Sequence, residues 1–225
     1  MRHGSIPLVG REPAIVGATV LAVGLAVAIA TALAVAVVVN PGPLPGEVWV
    51  VRRWQTLDEP VPTLAEWVRL TTSTQAALVV GAVPALWAIR RYRRAGAVAV
   101  AVVAGTMLVA QPVLKEVVDR PRPTEAQVDV RAPYTSKSFP AGHSMSTTAV
   151  WGAAAIVAAR HRRPLLAGAL CVPIALTAAA TQVQGVHWAS DVLAGTLLGG
   201  LAACAAAVVL LRALTDPREH AASRH

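Results

Sequence analysis

Two histidines and an aspartate in the second half of the chain have the types and spacing needed for nucleophilic and proton-transfer chemistry. His187 and Asp191 are four residues apart in the stretch GVHWASD, which places them one turn apart on a helix face. A carboxylate in that position accepts a hydrogen bond from one imidazole nitrogen and raises the basicity of the other nitrogen. His143 follows a Pro-Ala-Gly turn, where a histidine can act as an acid or a base.

Two cations accompany these groups. Lys115 and Arg122 lie in LKEVVDRPRP, and Gly142 directly precedes His143. Cations combined with backbone N–H groups at a glycine-containing helix start form an anion site. Taken singly, Lys115 could snorkel, Arg122 could be solvated, and His187 could sit at an interface. Their conjunction, at the edge of apolar blocks where charge is costly, favours a functional site.

The elements that position these residues are apolar. The chain has 225 residues, is 55% hydrophobic and has a mean hydropathy of +0.56. Its apolar residues come in blocks of 16 to 26 residues, close to the ~20 that cross a bilayer as a helix. The blocks are Ala14–Val39, Leu70–Ile89, Ala95–Leu114, Ser144–Ala159, Pro164–Ala180 and Val192–Leu211. We therefore predict an all-α polytopic membrane protein, a bundle of six transmembrane helices forming one domain over residues 1–225.

Two alternatives to this reading are weaker. A soluble all-helical core would need polar faces, and the blocks have none. A cleaved signal peptide would have an apolar region of about 7–15 residues, whereas the first block has 26.

The orientation follows from the arginines. RRYRR (Arg90–Arg94), RHRR (Arg160–Arg163) and the C-terminal tail fall on one side of the six-helix bundle, and basic short loops stay in the cytoplasm. The candidate catalytic and anion-binding residues, which lie within residues 115–195, then share the extracytoplasmic face of the cell membrane. The net charge of +8 is explained by these anchoring loops, which argues against nucleic acid as a partner.

The segment 40–69 is different in composition. It is too rich in proline and glycine to form one helix. Thr63 and Glu66 have capping-box spacing, which predicts a short amphipathic helix over Thr63–Leu70 on the outer surface, with Trp67 at the interface. The sequence offers neither CxxC spacing nor a carboxylate cluster, so we expect no metal and no cofactor.

These motifs resemble those of the type 2 phosphatidic acid phosphatase superfamily, a family of integral-membrane lipid phosphatases. The family's first motif is Lys, six residues, then Arg-Pro, matched by Lys115 and Arg122-Pro123. The second is Pro-Ser-Gly-His, matched by Pro140 to His143. The third is Ser-Arg, five residues, His, three residues, Asp, and its end matches His187 and Asp191.

The resemblance implies roles for these residues. His187 would be the nucleophile that forms a phosphohistidine, and Asp191 would orient it. His143 would protonate the leaving alcohol and then activate water. The phosphate would be held by a set of cations and backbone groups, namely Lys115, Arg122, Ala141 and Gly142.

Two positions depart from the family pattern. Ala141 replaces the motif-two serine, and Thr181 replaces the motif-three arginine. No Lys or Arg lies between Arg163 and Arg212, so no shifted alignment restores that arginine. Thr181 can offer only a neutral hydrogen bond to phosphate. We expect an outer-loop cation, Arg120 first and otherwise Arg131 or Lys137, to supply the missing charge.

The sequence thus predicts a metal-independent phosphatase of a lipid phosphate monoester or diphosphate in contact with membrane lipids. Phosphatidic acid, phosphatidylglycerophosphate and a polyprenyl diphosphate are the substrate types considered. Two other functions stay open. One is a non-catalytic relative that binds or moves a phospholipid, which the loss of the arginine at Thr181 favours. The other is phosphoryl or headgroup transfer to an acceptor other than water.

Overall fold

The computed structural model describes residues 12–215, and the side chains of residues 19–213. This part of the chain is all-helical and contains no strand. Its helices are α1 (Glu12–Val39), α2 (Glu47–Trp54), α3 (Val61–Thr71), α4 (Thr74–Gly105), α5 (Gln111–Val118), α6 (Gly142–Arg160), α7 (Pro164–Val183) and α8 (Ala189–Thr215). A π-helical segment, Thr106–Ala110, joins α4 to α5.

Four stretches of the described residues are long and apolar enough to cross a membrane: Thr19–Val39, Thr74–Val118, Pro164–Val183 and Ala189–Ala213. The second is 45 residues long and contains a reversal at Arg93, whose φ is 48° and ψ is −115°. After the reversal the chain packs on itself, because a Cβ on Gly96 would lie 2.1 Å from the Ala88 carbonyl oxygen. The turn falls within the arginine run that the sequence predicts to be a loop.

Helices α6 and α8 pack with their backbones close together. A Cβ on Gly195 would lie 2.5 Å from the carbonyl oxygen of Ala141, and one on Gly199 would lie 2.3 Å from that of Met145. Small residues four apart allow this approach, which is how helices commonly associate in membranes. The packing brings the start of α6, with His143, beside the start of α8.

The segment between α1 and α4 forms two short helices. α2 was not predicted, and it buries Glu47 and Val51. α3 occupies the place of the predicted outer helix, but its N-cap is Pro60 and no side chain caps it, so the predicted capping role of Thr63 is wrong.

α3 lies against the C-terminal end of α7. Ala65 forms a buried cluster with Ala180 and Val183. The Gln184 side-chain amide donates to the Pro62 carbonyl oxygen at 3.2 Å. Helix α3 therefore covers the C-terminal end of α7, where Thr181 occupies the first part of the third motif.

Candidate active site

His187 lies in the turn between α7 and α8. Gly185 adopts a φ of 64°, and a Cβ there would lie 2.3 Å from the Asp129 carbonyl oxygen. Only glycine fits this turn without strain. Because α8 begins at Ala189, the prediction that His187 and Asp191 share a helix face is wrong in detail: the turn, and not a helix, presents the imidazole.

Asp191 is fully buried in the first turn of α8 and divides its two oxygens between two sets of partners. Oδ1 accepts from the Arg120 guanidinium at 2.6 Å. Oδ2 accepts from the Ser138 hydroxyl, and from the Trp188 backbone N–H at 2.9 Å. The same oxygen faces Nδ1 of His187 at 3.6 Å, an ion-pair distance that is longer than a hydrogen bond. Such contacts commonly shorten when substrate binds.

The contact between Arg122 and His187 fixes the histidine tautomer. Nη1 of Arg122 lies 3.2 Å from Nε2 of His187. A guanidinium can only donate, so Nε2 is the acceptor and the proton of a neutral ring sits on Nδ1. That proton points toward Asp191, and the lone pair of Nε2 points toward the cation. This is the arrangement that a nucleophilic histidine requires.

The surroundings keep His187 neutral. Burial and the charges of Arg122 and Lys115 lower the pKa of His187 to about 3, against the opposing effect of Asp191. Burial also lowers the pKa of Arg122, to about 10. At neutral pH the site therefore holds an uncharged imidazole beside a charged guanidinium.

Backbone carbonyl groups fix the two predicted cations. Arg122 donates to the carbonyl oxygens of Ser136 at 2.7 Å and Val186 at 2.6 Å, and its guanidinium stacks 4.9 Å from the centre of the Tyr134 ring. Lys115, which is 5% exposed, donates to the carbonyl oxygen of Lys137. Arg122 Nη2 reaches the same oxygen at 3.4 Å, so the two cations converge.

His143 is the second residue of α6, and its ring faces the same cations. Its Nε2 is buried and has no hydrogen-bond partner among the described residues. Charges that act on the ring come from Arg122, Lys115 and Arg69. The first amides of a helix have no partner within it, so Gly142 and His143 also offer N–H groups here.

The chain is similar in sequence to one protein family and in fold to one solved structure. The family model of the PAP2 superfamily matches residues 94–214, more than half of the chain. The chain belongs to the PAP2 superfamily. A crystal structure of a transmembrane PAP2-type phosphatidylglycerolphosphate phosphatase from Bacillus subtilis has the same fold, with a TM-score of 0.69 and 21% identity. The match covers 82% of this chain and 93% of that one. No curated protein matches the sequence.

The PAP2 assignment, the apolar helices and this fold together make the chain a multi-pass membrane protein. Lys115, Arg122, His143, His187 and Asp191, the residues that match the PAP2 motifs, lie together at one end of the helices.

The structure gives three predicted phosphate-binding groups other partners. The Ala141 N–H donates to the Asp191 backbone carbonyl oxygen at 2.9 Å, so it is not available to a phosphate. The Thr181 hydroxyl donates to the Ala178 carbonyl oxygen at 2.9 Å and is buried in α7. Arg120 is fully buried and binds carboxylates, so its predicted role as a phosphate ligand is wrong.

Arg120 is the centre of a buried network that sequence reasoning missed, which we term the anchor network. Its guanidinium donates to Glu47 at 2.7 Å and to Asp191 at 2.6 Å, and also to the Ser190 hydroxyl at 2.7 Å. Ser190 in turn donates to Glu47 through its backbone N–H at 2.8 Å and its hydroxyl at 2.6 Å. The anchor network joins the start of α2 to the start of α8.

A weak signal for Glu47 existed, because it is the one charged residue in the Pro-Gly-rich stretch 40–51. Nothing in the sequence pointed to Ser138 or Ser190. Among the residues that the structure describes, no group of three His, Cys, Asp or Glu side chains is arranged to hold a metal ion. Cys171 and Cys204 are both free thiols.

Proposed function

We propose that this chain is a membrane phosphatase that hydrolyses a lipid phosphate monoester or diphosphate through a phosphohistidine at His187, without a metal ion. One observation carries the proposal: Nε2 of a neutral His187 accepts from Arg122 at 3.2 Å, while its Nδ1 faces Asp191. A nucleophile, its orienting carboxylate and a phosphate-binding cation thus meet at one imidazole.

In the first step, the phosphate oxygens take the place of Nε2 as partners of Arg122, and Lys115 binds the same group. Nε2 then attacks phosphorus in line, and the bond from phosphorus to the lipid oxygen breaks. The phosphate dianion bound beside His143 favours the imidazolium form of that ring, and this imidazolium gives its proton to the departing oxygen. Asp191 stabilises the positive charge that develops on His187, and the cations stabilise the charge on the phosphoryl oxygens.

In the second step, water attacks the phosphohistidine. His143, now neutral, accepts the proton from that water. The phosphorus–nitrogen bond breaks, inorganic phosphate leaves, and His187 returns to its neutral form. Each proton that enters the reaction is thereby accounted for by His143 and the water.

A lipid substrate is supported by an apolar cavity of about 820 Å³ between α4, α6, α7 and α8. It is lined from Ala77 near the start of α4 to Ala158 and Leu166 near the opposite end of the bundle. The lining residues nearest to the site are Ala77 on α4 and Val150 on α6, so this cavity begins about two helical turns from His143. A headgroup at the site can therefore leave its acyl or prenyl chain in the cavity.

The proposal includes six membrane crossings, with the reversal at Arg93 dividing one long candidate span into two and α6 as a further crossing. The arginine-rich turns then lie inside and the site lies outside, with α3 on the outer surface. Cysteine at Thr135 should react with an impermeant thiol reagent on intact cells, and cysteine at Tyr92 should not. The reverse pattern would put the site in the cytoplasm.

The decisive experiment is phosphate release by purified protein in detergent containing EDTA. Phosphatidic acid, phosphatidylglycerophosphate and a polyprenyl diphosphate are supplied in parallel. Phosphatidylglycerophosphate belongs in the panel because the structurally similar protein is described as a phosphatase of that lipid. We expect turnover of at least one lipid, loss of more than about 10³-fold in His187→Ala, and acid-labile phosphate on denatured wild type.

Full activity in His187→Ala would overturn the mechanism. Binding of these lipids without any phosphate release would favour the alternative of a non-catalytic phospholipid-binding relative, which the neutral Thr181 supports. Phosphate that appears on an added alcohol instead of in solution would indicate transfer.

A further inference from the structure

The site lacks a cation where the PAP2 pattern has one. Thr181 is 1% exposed and its hydroxyl is bonded within α7. α7 itself contains no Lys or Arg. A phosphate dianion at this site must therefore take any third positive charge from another element.

The outer-loop cations are already engaged. Arg120 lies between two buried carboxylates in the anchor network. Arg131 pairs with Asp129 at 2.7 Å, and Lys137 pairs with Asp119. Each of these three cations therefore already has a carboxylate partner.

Arg69, in the last turn of α3, is in a different situation. It follows Ala65 by four residues on one helix face, and Ala65 packs against Ala180 and Val183. Arg69 therefore emerges beside the end of α7 that carries Thr181. The backbone of Arg69 is also within hydrogen-bonding reach of the His143 imidazole.

The side chain of Arg69 has no counterion. Among the side chains of residues 19–213, no carboxylate lies within ion-pair distance of it, and its Nε is buried without a hydrogen-bond partner. Its charge acts on His143 together with those of Arg122 and Lys115. A partly buried guanidinium without a partner is costly, and an anion that binds beside it removes that cost.

We propose that Arg69 is a phosphate-binding residue that replaces, from α3, the charge lost at Thr181. This inference rests on the proposed function, since it names a further ligand of the same phosphate. Lys115, Arg122 and Arg69 then surround the phosphate from three different elements. The outer segment becomes part of the site, and not merely a cover over it.

The test compares Arg69→Ala and Arg69→Lys with Arg53→Ala. Arg53 is a matched control, because it is an exposed arginine of the same segment whose side chain bonds only Thr56. We expect kcat/KM to fall roughly 10- to 150-fold in Arg69→Ala, the value of one charge-assisted contact. Arg69→Lys should recover part of it, and Arg53→Ala should change little.

A second variant separates a phosphate contact from a structural role. In the Arg69→Ala background, Thr181→Arg restores a cation from α7 and should recover kcat/KM. Equal activity of Arg69→Ala and wild type would overturn the inference and leave the proposed function intact. Loss without rescue by either Arg69→Lys or Thr181→Arg would also overturn it, because the residue would then act through folding.

The inference remains testable if the wild type releases no phosphate from any lipid, which would refute the proposed function itself. Orthovanadate, a phosphate analogue, is then titrated into wild type and Arg69→Ala, with thermal stabilisation as the readout. Vanadate binding that weakens roughly 10-fold or more in Arg69→Ala, but not in Arg53→Ala, supports an anion site at Arg69. Equal vanadate affinity overturns it.

Discussion

The two oxygens of Asp191 face two differently built regions. On the Oδ1 side, the anchor network pairs Arg120 with Glu47 and Ser190, all at most 7% exposed. Oδ2 faces His187, and we group His187 with His143 and Arg69 as the phosphate side. Each of these three residues has a buried nitrogen without a hydrogen-bond partner among the described residues: His187 Nδ1, His143 Nε2 and Arg69 Nε. Only Nε of Arg120 shares that condition in the anchor network.

This difference distinguishes an arginine that supports the structure from one whose guanidinium has no carboxylate partner. Carboxylates that neutralise Arg120 make its guanidinium a fixed support, which orients Asp191 and thereby His187. In the proposed function, cations without carboxylates and ring nitrogens without partners would gain these interactions from a bound phosphate. The same residue type thus does structural work at position 120 and is available for ligand binding at position 69.

The largest effect is expected where the two regions meet. Asp191→Asn retains the shape of the side chain but removes the charge that both Arg120 and His187 face. We expect kcat to fall about 10³- to 10⁴-fold, as when the orienting carboxylate of a catalytic triad is changed to an amide. Phosphate release measures this, with Asp129→Asn as the control because Asp129 is an exposed carboxylate paired with Arg131. A fall no greater than in the control would remove Asp191 from the mechanism.

The next prediction contrasts the two arginines by stability. Arg120→Met leaves Glu47 and Asp191 buried without a counterion, which typically costs about 3–5 kcal/mol. Arg69→Met removes a guanidinium that has no carboxylate partner, so the free energy of unfolding should change by less than about 1 kcal/mol. Thermal unfolding in detergent measures both. Equal decreases in the free energy of unfolding of the two variants would contradict the proposed difference between the two regions.

The smallest effect concerns proton position on His187. Its pKa is lowered to about 3, below the ordinary value, so the protonated form disappears as pH rises through about 3 and the ring is neutral from pH 5 to 8. Nitrogen chemical shifts of ¹⁵N-histidine protein should report a proton on Nδ1 and none on Nε2 across that range. Loss of the signal in His187→Gln assigns it. Titration near pH 6.5, or a proton on Nε2, would contradict the arrangement.

Much of this protein is determined by the sequence itself. Apolar blocks without charges must become helices in a bilayer, so the all-helical membrane class follows directly from composition. The motif spacings predict that His187, Asp191, His143, Lys115 and Arg122 share one face, and the structure brings them together there.

The roles of the arginines were decided only by the tertiary structure. Arg120 was predicted to bind phosphate because it is close in sequence to Arg122, but contacts across 71 and 73 residues give it Asp191 and Glu47 as partners. No role was predicted for Arg69, a lone arginine next to an apolar block, yet α3 packs on the end of α7 and the charge of Arg69 acts on His143. Sequence fixes the charge of a guanidinium. Which carboxylates surround it depends on helices distant in the chain, and that neighbourhood decides whether it is neutralised or left to bind an anion.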